Sequence, residues 1–402
     1  MLTVADAGAA IQAALPTWSA ESVPLAAACG RVLRQDVLAE RDQPPFDRVT
    51  MDGIALRHAA FAAGRREFTI AGTQHAGDPS LTLSSDDGCI EVMTGAVLPV
   101  DSDCIIPVER TVRTGNSIQV ATDYAASAHQ FLHARGSDHS SGYRMLSPGR
   151  RLSAIDIALL ASAGLSEVHV SSVPRLRVIS TGNELVEPGA AIAAHQIRLS
   201  NGPAIVAMLQ QQGFVNSRHL HLRDDPHLLE DRIGEQLANS DVLVLSGGVS
   251  MGQADFVPQV LDTLGVRKVF HKISQRPGKP MWFGTGPDNQ LVFALPGNPV
   301  SALTCCRHYV LPALLLAAAA VPRKAIAVRL AESYRFSPPL TCFLPAVLIG
   351  DAYGQLLAQP VTTNTSGDFT ALANTDGYLQ LSADESDFAA GSAQPFFYWS
   401  QV

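Results

Sequence analysis

Between residues 174 and 320, short apolar segments recur that lack the alternation of polar and apolar residues. Examples are VLVL at 242–245 and LVFAL at 291–295. Strands of this kind are buried on both faces, as in parallel sheets that are covered by helices on each side. Longer segments with helical spacing stand between them, such as PHLLEDRIGEQLA at 226–238. This stretch therefore predicts an α/β domain built on a parallel sheet.

The rest of the chain has a different texture. Short β-like segments separated by Gly, Asp, Asn and Ser fill residues 41–136, and similar segments return near the C-terminus. Helical spacing is present at 2–14 and at 153–163, where Ser153 and Asp156 form a plausible N-cap pair. A length of 402 residues, at roughly 150 residues per domain, corresponds to two or three domains. We expect an α/β plus β protein, in which mainly-β parts accompany the central α/β domain.

Charge and composition exclude several classes of protein. With 29 basic and 37 acidic residues the net charge is −8, which argues against a general nucleic-acid-binding protein. The first basic residue is Arg31, so the N-terminus lacks the positive region of a signal peptide. The longest apolar run, 310–321, contains Pro312 and is too short to cross a bilayer. Only 16% of residues are charged, against about 25% typically, which indicates that another domain or subunit covers part of the surface.

The six cysteines show neither CxxC spacing nor the pattern of a disulfide framework. We therefore expect structural free thiols, which persist in a reducing compartment. The sequence thus predicts a cytoplasmic protein that binds neither a membrane nor nucleic acid.

Three predicted strands of the α/β domain end in loops rich in small residues. These loops are STGNEL at Ser180–Leu185, SGGVSMG at Ser246–Gly252 and LPGNPVS at Leu295–Ser301. Ligands of open α/β sheets bind beyond the carboxyl ends of the strands. Glycine lets backbone N–H groups approach an anion, and a following helix N-terminus adds a favourable dipole. One such loop is usually only a turn, but three in one domain favour a phosphate site.

A cluster of basic residues follows the predicted strand VRKVFHKI. Lys272, Arg276 and Lys279 stand in a segment that also contains two prolines and a glycine. A solvated run of surface charge is the alternative interpretation, yet such a run needs no rigid backbone. Fixed cations are suited to the recognition of oxyanions.

Acidic residues also gather on loops. They are Asp52, Asp138, Glu184, Asp224, Asp225 and Asp255. Taken singly, each could be a cap or turn residue, and Asp225 before Pro226 fits a helix N-cap. Carboxylates beside a phosphate repel it unless a divalent cation lies between them. The pattern therefore predicts a magnesium-type site.

A set of long motifs occurs together and in one order along the chain. They are PPFDRVTMDGIAL, EVMTGAVLP followed by DCIIPVE, RGSDHSSG, STGNEL, RDDP, LSGGVSMGQADF, RPGKPMWFG and LPGNPVSA. The set resembles the molybdopterin molybdenumtransferases, the MoeA family, which includes the E domain of gephyrin. The resemblance runs from about residue 2 to 390, essentially the whole chain.

The resemblance implies an elongated homodimer whose chains have four parts, one of them inserted into another. The parts that we expect are a discontinuous connecting domain at 15–40 and 137–173, an inserted mainly-β domain at 41–136, an α/β domain similar to molybdopterin adenylyltransferase at 1–14 and 174–322, and a C-terminal β domain at 323–402. In the family the active site lies between the α/β domain of one subunit and the β module of the other.

The resemblance also implies the reaction, in which adenylylated molybdopterin and molybdate give molybdenum cofactor and AMP with a divalent metal such as Mg²⁺. Carried over by motif, the catalytic residues are Asp52, Thr94, Asp138, Glu184, Asp224, Asp255, Lys272, Arg276 and Lys279. The metal ligands among them are Glu184, Asp224 and Asp255. The residues expected to bind the pterin are Ser246, Gly247, Gly248, Ser250, Pro296, Gly297, Asn298, Pro299, Ser301 and Ser366.

Three positions depart from the family pattern. Asn183 replaces the usual aspartate beside Glu184, which removes a charge without shortening the side chain. Arg276 stands where many members have lysine, which keeps the charge but favours bidentate contacts. Pro345 stands in a strand that often carries an arginine, so the C-terminal domain lacks a cation there.

Two other functions explain parts of the pattern. Molybdopterin adenylyltransferase activity would leave residues 30–140, with Asp52 and Thr94, without a role. A non-enzymatic scaffold, the role in which gephyrin anchors receptors, could lose its carboxylates, whereas this chain keeps Asp52, Glu184 and Asp255. The transferase is therefore the leading hypothesis. Its expected partners are a second copy of the chain, a molybdopterin adenylyltransferase and molybdoenzyme chaperones.

Overall fold

A computed structural model describes residues 1–249 and 256–400 of the chain. Tertiary contacts divide the chain into two compact units. The first comprises Met1–Gln35, Pro148–Ile157 and Glu167–Val402, and the second comprises Asp36–Ser147 and Ala158–Ser166. The first unit holds the α/β sheet and a C-terminal β sheet, and the second is mainly β.

The helices and strands of the described residues are numbered here in chain order. The α-helices are α1 (Val4–Ala13), α2 (His58–Ala62), α3 (Ala154–Ser162), α4 (Asn201–Gln211), α5 (Pro226–Ala238), α6 (Val257–Thr263), α7 (Pro299–Cys305) and α8 (Leu311–Ala317). A π-helical turn at Cys306–Val310 joins α7 to α8, and 3₁₀ turns occupy Leu25–Ala27, Val108–Arg110 and Thr370–Asn374. The strands are β1 (Ala20–Pro24), β2 (Val37–Leu38), β3 (Arg48–Val49), β4 (Gly53–Leu56), β5 (Glu67–Gln74), β6 (Gly88–Val92), β7 (Cys104–Pro107), β8 (Thr111–Thr114), β9 (Ser117–Val120), β10 (Leu132–His133), β11 (Arg144–Leu146), β12 (Glu167–Ser171), β13 (Leu176–Thr181), β14 (Leu185–Val186), β15 (Ile197–Arg198), β16 (Arg218–Leu222), β17 (Val242–Ser246), β18 (Arg267–His271), β19 (Gln275–Arg276), β20 (Trp282–Thr285), β21 (Leu291–Leu295), β22 (Ile326–Leu330), β23 (Tyr334–Arg335), β24 (Thr341–Gly350), β25 (Leu356–Pro360), β26 (Gly377–Leu381), β27 (Asp387–Phe388) and β28 (Ala393–Tyr398).

Six strands form the central sheet of the first unit, in the order β16-β13-β17-β21-β20-β18. The neighbours β16, β13, β17 and β21 are parallel, as the apolar segments predict. However, β20 runs antiparallel to both β21 and β18, so the sheet is mixed rather than wholly parallel. The sequence prediction omitted β20. A short turn joins β20 to β21, and such a hairpin requires antiparallel strands.

The residues of β17 show why the apolar strands do not alternate. Val242 and Val244 belong to the core on one face of the sheet, which α1, α4, α7 and α8 also line. Leu243 and Leu245 belong to the core on the other face, with α5 and α6. Because helices cover both faces, the carboxyl ends of the strands are left as the place where a ligand can reach the sheet.

The continuous helix Pro299–Ala317 is long and apolar. It has 19 residues and a mean hydropathy of 1.4, which would suffice to span a membrane by length and composition alone. The apolar run counted from the sequence, 310–321, overlaps only the second half of this helix, which begins at Pro299. Its apolar window is 78% buried inside the fold, as in the core helix of a soluble protein.

The C-terminal strands form a closed β structure. Sheet neighbours run β24-β25-β22-β28-β26, and β26 pairs again with β24. Leu344, Leu379 and Phe396 lie in its core. Pro345 is buried within β24, opposite Tyr378, so this position contributes packing and no charge.

A buried aromatic cluster joins the π-helical turn to this closed sheet. His308 Nδ1 lies 3.0 Å from the hydroxyl of Tyr378, and its ring centroid lies 4.5 Å from that of Phe343. Burial, with a smaller effect from the neighbouring Arg307, lowers the pKa of His308 to about 3. The imidazole is therefore neutral at physiological pH and acts as a hydrogen-bonded packing residue.

The second unit is mainly β, as predicted. Its largest sheet has the order β7-β4-β6-β5-β9-β8, and Ile54, Phe68 and Ile106 lie in its core. Two short antiparallel pairs, β2 with β11 and β3 with β10, accompany this sheet. Asp52 lies in the short connection between β3 and β4, directly before Gly53.

The predicted cap of α3, formed by Ser153 and Asp156, is confirmed, and we expect it to stabilise the fold. Asp156, whose side chain is 1% exposed, accepts hydrogen bonds of 2.8 Å from the backbone N–H and hydroxyl of Ser153 and from Nε of Arg150. We expect Asp156→Ala to lower the free energy of unfolding by about 1–3 kcal/mol, because these donors lose a buried acceptor. Chemical denaturation would measure the loss. The exposed Asp231 of α5 gives a matched control, with an expected change below about 0.5 kcal/mol.

The same cap predicts a pH dependence. Burial alone would raise the pKa of the Asp156 carboxyl, but the hydrogen bonds from Ser153 and Arg150 outweigh it and lower the pKa below its ordinary value. The stability from this group is therefore present above the ordinary pKa of aspartate and is lost as pH falls through the lowered value. If Asp156→Ala lowered the free energy of unfolding equally at neutral pH and at a pH below the lowered pKa of Asp156, this account would be contradicted.

Candidate active site

A cavity of about 710 Å³ lies at the carboxyl edge of the central sheet. The loops that follow β13, β17 and β21 all line it, and Asp224 joins them from the loop after β16. The three loops meet because their strands are neighbours in the sheet. Of the residues predicted to bind the pterin, those that line the cavity are Ser246, Gly247, Gly248, Pro296, Gly297, Asn298 and Pro299.

Gly247 and Gly248 bring the backbone of the loop after β17 close to its neighbours. Their φ angles are +103° and +65°. A Cβ on Gly247 would lie 2.5 Å from the carbonyl oxygen of Thr181, and one on Gly248 would lie 2.7 Å from Cγ2 of Val257. Both positions therefore require glycine, and this leaves backbone rather than side chains facing the cavity.

Asn201, the first residue of α4, ties two of the loops together, and the sequence prediction missed it. Its Nδ2 donates to Ser246 Oγ over 3.0 Å and to the carbonyl oxygen of Gly297 over 2.7 Å. Asn298 Nδ2 in turn donates to Ser366 Oγ over 2.7 Å, so the predicted residue Ser366 lies against the same loop. An asparagine at a predicted helix start was the available signal for Asn201.

Glu184 and Asp224 line the cavity from loops that follow the neighbouring strands β13 and β16. Asn183 links these loops, since its Oδ1 accepts the backbone N–H of Asp224 over 3.2 Å. An amide oxygen can accept a hydrogen bond as a carboxylate oxygen can, so Asn183 makes this contact without the negative charge of an aspartate. Carboxylate oxygens are the hard ligands that Mg²⁺ prefers, so the two side chains are candidate metal ligands.

Three predicted residues need separate mention. Ser250 and Asp255 lie outside the described residues, so their places in the site stay predictions. Ser301 is buried in α7 and is not among the described residues that line the cavity. Within residues 1–249 and 256–400, no three His, Cys, Asp or Glu side chains are grouped so that they could hold a metal ion.

The predicted cations lie on the stiff loop after β18. Lys272 adopts a φ of +75°, and the Ile273 N–H donates to the carbonyl oxygen of Lys279 over 2.9 Å. Arg276 lies on β19, which pairs with β24 of the C-terminal sheet. Of the described residues that line the cavity, only Pro280 comes from this loop. The structure therefore does not bring the three cations into the cavity lining, and an oxyanion site on this loop stays a prediction.

Gln275 holds this loop in shape, although the sequence carried no signal for it. Its side chain is fully buried, and its Nε2 donates to the carbonyl oxygen of Pro277 over 3.0 Å. Its Oε1 accepts a hydrogen bond from the hydroxyl of Tyr309, in the π-helical turn. The loop is thus fixed from inside the core, which explains its rigidity better than its prolines alone.

In the second unit, Thr94 holds the carboxylate of Asp52. The hydroxyl and the backbone N–H of Thr94 donate to the same oxygen, Asp52 Oδ1, over 2.7 and 2.6 Å. These bonds, that of the hydroxyl first, lower the pKa of the Asp52 carboxyl below its ordinary value. Asp52 is therefore an ionised, oriented acceptor at neutral pH.

Asp138 is held by a residue that the sequence prediction missed. His133 Nε2 lies 2.9 Å from Asp138 Oδ1, and His133 Nδ1 lies 3.0 Å from an Nη of Arg48. Because a guanidinium can only donate, Nδ1 must accept, so the proton sits on Nε2 and is donated to Asp138. Arg48 and His133 are register partners on β3 and β10. This series of hydrogen bonds therefore begins on β3, the strand that precedes Asp52 in the sequence.

Thr94→Val is expected to raise the pKa of the Asp52 carboxyl toward its ordinary value, because it removes the hydroxyl hydrogen bond, which lowers that pKa most. Thr94→Ser keeps the hydroxyl and serves as the control. Carboxyl ¹³C NMR titration would measure both, and the acid limb of the activity profile should move to higher pH only in Thr94→Val. An unchanged Asp52 titration in Thr94→Val would contradict the geometry.

Comparison with known proteins assigns a class to each part of the chain. Residues 2–164 match the MoeA N-terminal region (domain I and II). Residues 177–315, which include the central sheet and its cavity loops, match a probable molybdopterin-binding domain. Residues 327–394 match the MoeA C-terminal region (domain IV). The fold and the cavity thus define a multi-domain protein of the molybdopterin-binding class.

Relatives that span the whole chain identify the family. The chain is 36% identical over 400 residues to the molybdopterin molybdenumtransferase of Synechocystis sp., covering 99% of this chain and 100% of the relative. It is 35% identical to that of Synechococcus elongatus, covering 92% and 93%. The crystal structure of a molybdopterin biosynthesis MoeA protein from Pyrococcus horikoshii superposes with a TM-score of 0.79 at 29% identity, over 100% of both chains. The chain belongs to the MoeA family of molybdopterin molybdenumtransferases.

Proposed function

We propose that this chain inserts molybdenum from molybdate into the dithiolene of adenylylated molybdopterin, releasing AMP and molybdenum cofactor. Family membership makes it a transferase of molybdenum cofactor biosynthesis, with molybdopterin as its substrate. Three parts of the proposal go beyond family membership. They are the adenylylated form of the substrate, the release of AMP and the dependence on a divalent metal.

One observation carries the proposal. The cavity at the sheet edge combines two glycine-lined loops, suited to phosphate oxygens, with the carboxylates of Glu184 and Asp224. A cavity of this size takes a nucleotide-sized ligand. Backbone N–H groups of the loops would hold the diphosphate link, and the carboxylates would stand beside it.

A magnesium ion is supported by the chemistry of the donors. Glu184, Asp224 and Asp255 would hold it, since carboxylate oxygens suit Mg²⁺ and would otherwise repel the diphosphate. When bound, such an ion polarises a phosphoryl oxygen and offsets the charge that develops on the leaving AMP. Asn183 orients the loop of Asp224 toward that of Glu184 through the bond to the Asp224 N–H.

The remaining proposals concern assembly and location. We propose a homodimer in which Asp52, Thr94 and Asp138 of one subunit serve the active site of the other, as the family resemblance implies. We also propose exchange of substrate and product with a molybdopterin adenylyltransferase and with molybdoenzyme chaperones. All six cysteines are free, which supports a cytoplasmic location. The residue ranges given above for the four domains are also proposals.

The direct test incubates the protein with adenylylated molybdopterin, with and without molybdate and Mg²⁺, and measures AMP. We expect AMP release only when both are present. Absence of molybdate-dependent release would contradict the proposal. Incubation with molybdopterin and ATP tests the alternative, since an adenylyltransferase would instead release pyrophosphate.

A further inference from the structure

Thr181 ends β13 and lines the cavity, yet only 4% of its surface is exposed. Its Oγ1 finds no hydrogen-bond partner among the described residues. Buried hydroxyls are nearly always paired, because an unpaired one loses its bonds to water without compensation. A hydroxyl that is kept at this cost beside a cavity indicates a ligand that supplies the missing bond.

The backbone of the loop after β17 lies close to this hydroxyl. A Cβ on Gly247 would lie 3.0 Å from Thr181 Oγ1, and one on Gly248 would lie 3.1 Å from it. Both distances are shorter than an ordinary van der Waals contact, so any side chain at these positions would crowd the hydroxyl. Only glycines at these two positions leave Oγ1 without a side chain against it on the side of this loop.

Asn201 shows the same property on the adjoining helix. Its Oδ1 is buried and has no partner among the described residues. Both protons of its Nδ2 are already donated, to Ser246 Oγ and to the Gly297 carbonyl, so the orientation of the amide is set. Oδ1 can only accept. Two residues that line the cavity thus carry unpaired buried atoms, one hydroxyl that can donate and one amide oxygen that can only accept.

We infer that Thr181 is a substrate-binding residue whose hydroxyl donates a hydrogen bond to an oxyanion oxygen of the substrate. The inference rests on the proposed function, whose two substrates, adenylylated molybdopterin and molybdate, both carry such oxygens. Asn201 Oδ1 requires an N–H or O–H donor, which the pterin nucleotide has and the molybdate dianion lacks. The N-terminus of the eleven-residue helix α4 favours the same negative charge. The two atoms together select the pterin nucleotide.

The test uses two variants of one residue. Thr181→Val keeps the shape of the side chain and removes the hydroxyl, whereas Thr181→Ser keeps the hydroxyl. We expect Thr181→Val to bind adenylylated molybdopterin about ten- to a hundredfold more weakly by titration calorimetry, with molybdate affinity changed less than about threefold. Its thermal midpoint should equal or exceed that of the parent, because an unpaired hydroxyl leaves the interior. A merely structural hydroxyl would instead lower the midpoint.

Each other outcome overturns a stated part. A lowered thermal midpoint in Thr181→Val would mean that Oγ1 has a protein partner. Parent-like binding of the nucleotide by this variant would mean that Oγ1 has no ligand. Either result overturns the inference. Weak nucleotide binding in Thr181→Ser as well would also overturn it, and weakening confined to molybdate would overturn the choice of the pterin nucleotide. Calorimetry measures binding without turnover. A parent protein that binds the nucleotide but releases no AMP would therefore contradict the proposed function alone.

Discussion

Replacing Glu184 with glutamine is expected to slow metal-dependent AMP release by about a thousandfold while the protein stays folded. The carboxylate lies on an exposed loop of the cavity, close to the loop of Asp224, so the substitution keeps its shape and deletes its charge. Loss of that charge removes one oxygen ligand of the proposed magnesium ion and weakens the compensation of charge on the leaving phosphate. AMP release at saturating molybdate and substrate would measure the effect.

Glu187 provides the matched control for this prediction. It lies three positions further along the chain, directly after β14, is exposed, and is not among the described residues that line the cavity. Glu187→Gln should therefore stay within about threefold of the parent. Calorimetric titration with Mg²⁺ gives a second readout, in which only Glu184→Gln should bind more weakly. Turnover of Glu184→Gln within about tenfold of the parent at saturating Mg²⁺ would contradict the metal role.

The part of the site that the sequence could predict is the part made by strand ends. Ser180–Leu185 and Ser246–Gly252 follow predicted strands, and neighbouring parallel strands must end at one edge. Their meeting therefore follows from local pattern and a general rule. The hairpin strand β20 was missed because its apolar segment, MWFG, is short and directly follows the basic loop.

The contacts between loops could not be predicted in this way. Asn201 is separated by 45 residues from Ser246 and by 96 from Gly297, and His133 is separated by 85 from Arg48. Such side-chain bridges depend on where tertiary packing brings two backbones, for which single-sequence patterns carry no signal. The basic loop shows the same limit. Its charges are visible in the sequence, whereas the pairing of Arg276 with β24 is not.

Mixing two inactive variants is expected to restore activity if the proposed shared site is correct. Asp52→Asn alters the second unit and Glu184→Gln alters the first. If Asp52 of one subunit serves the site that contains Glu184 of its partner, a mixed dimer has one doubly altered site and one intact site. Random exchange makes half of the dimers mixed, so about a quarter of all sites should be active. AMP release after exchange of subunits in equal amounts would measure this.

A second mixture decides between shared and separate sites. Asp52→Asn and Asp138→Asn both alter the second unit, so each site of their mixed dimer carries one of the two changes and no activity should return. If instead all these residues of one chain served one site, Asp52→Asn with Glu184→Gln would fail for the same reason. Recovery in the first mixture and not in the second is therefore the pattern that only a site shared between subunits produces. Equal failure of both mixtures, with exchange verified by a mass-labelled subunit, would contradict the shared site while leaving the chemistry of the cavity intact.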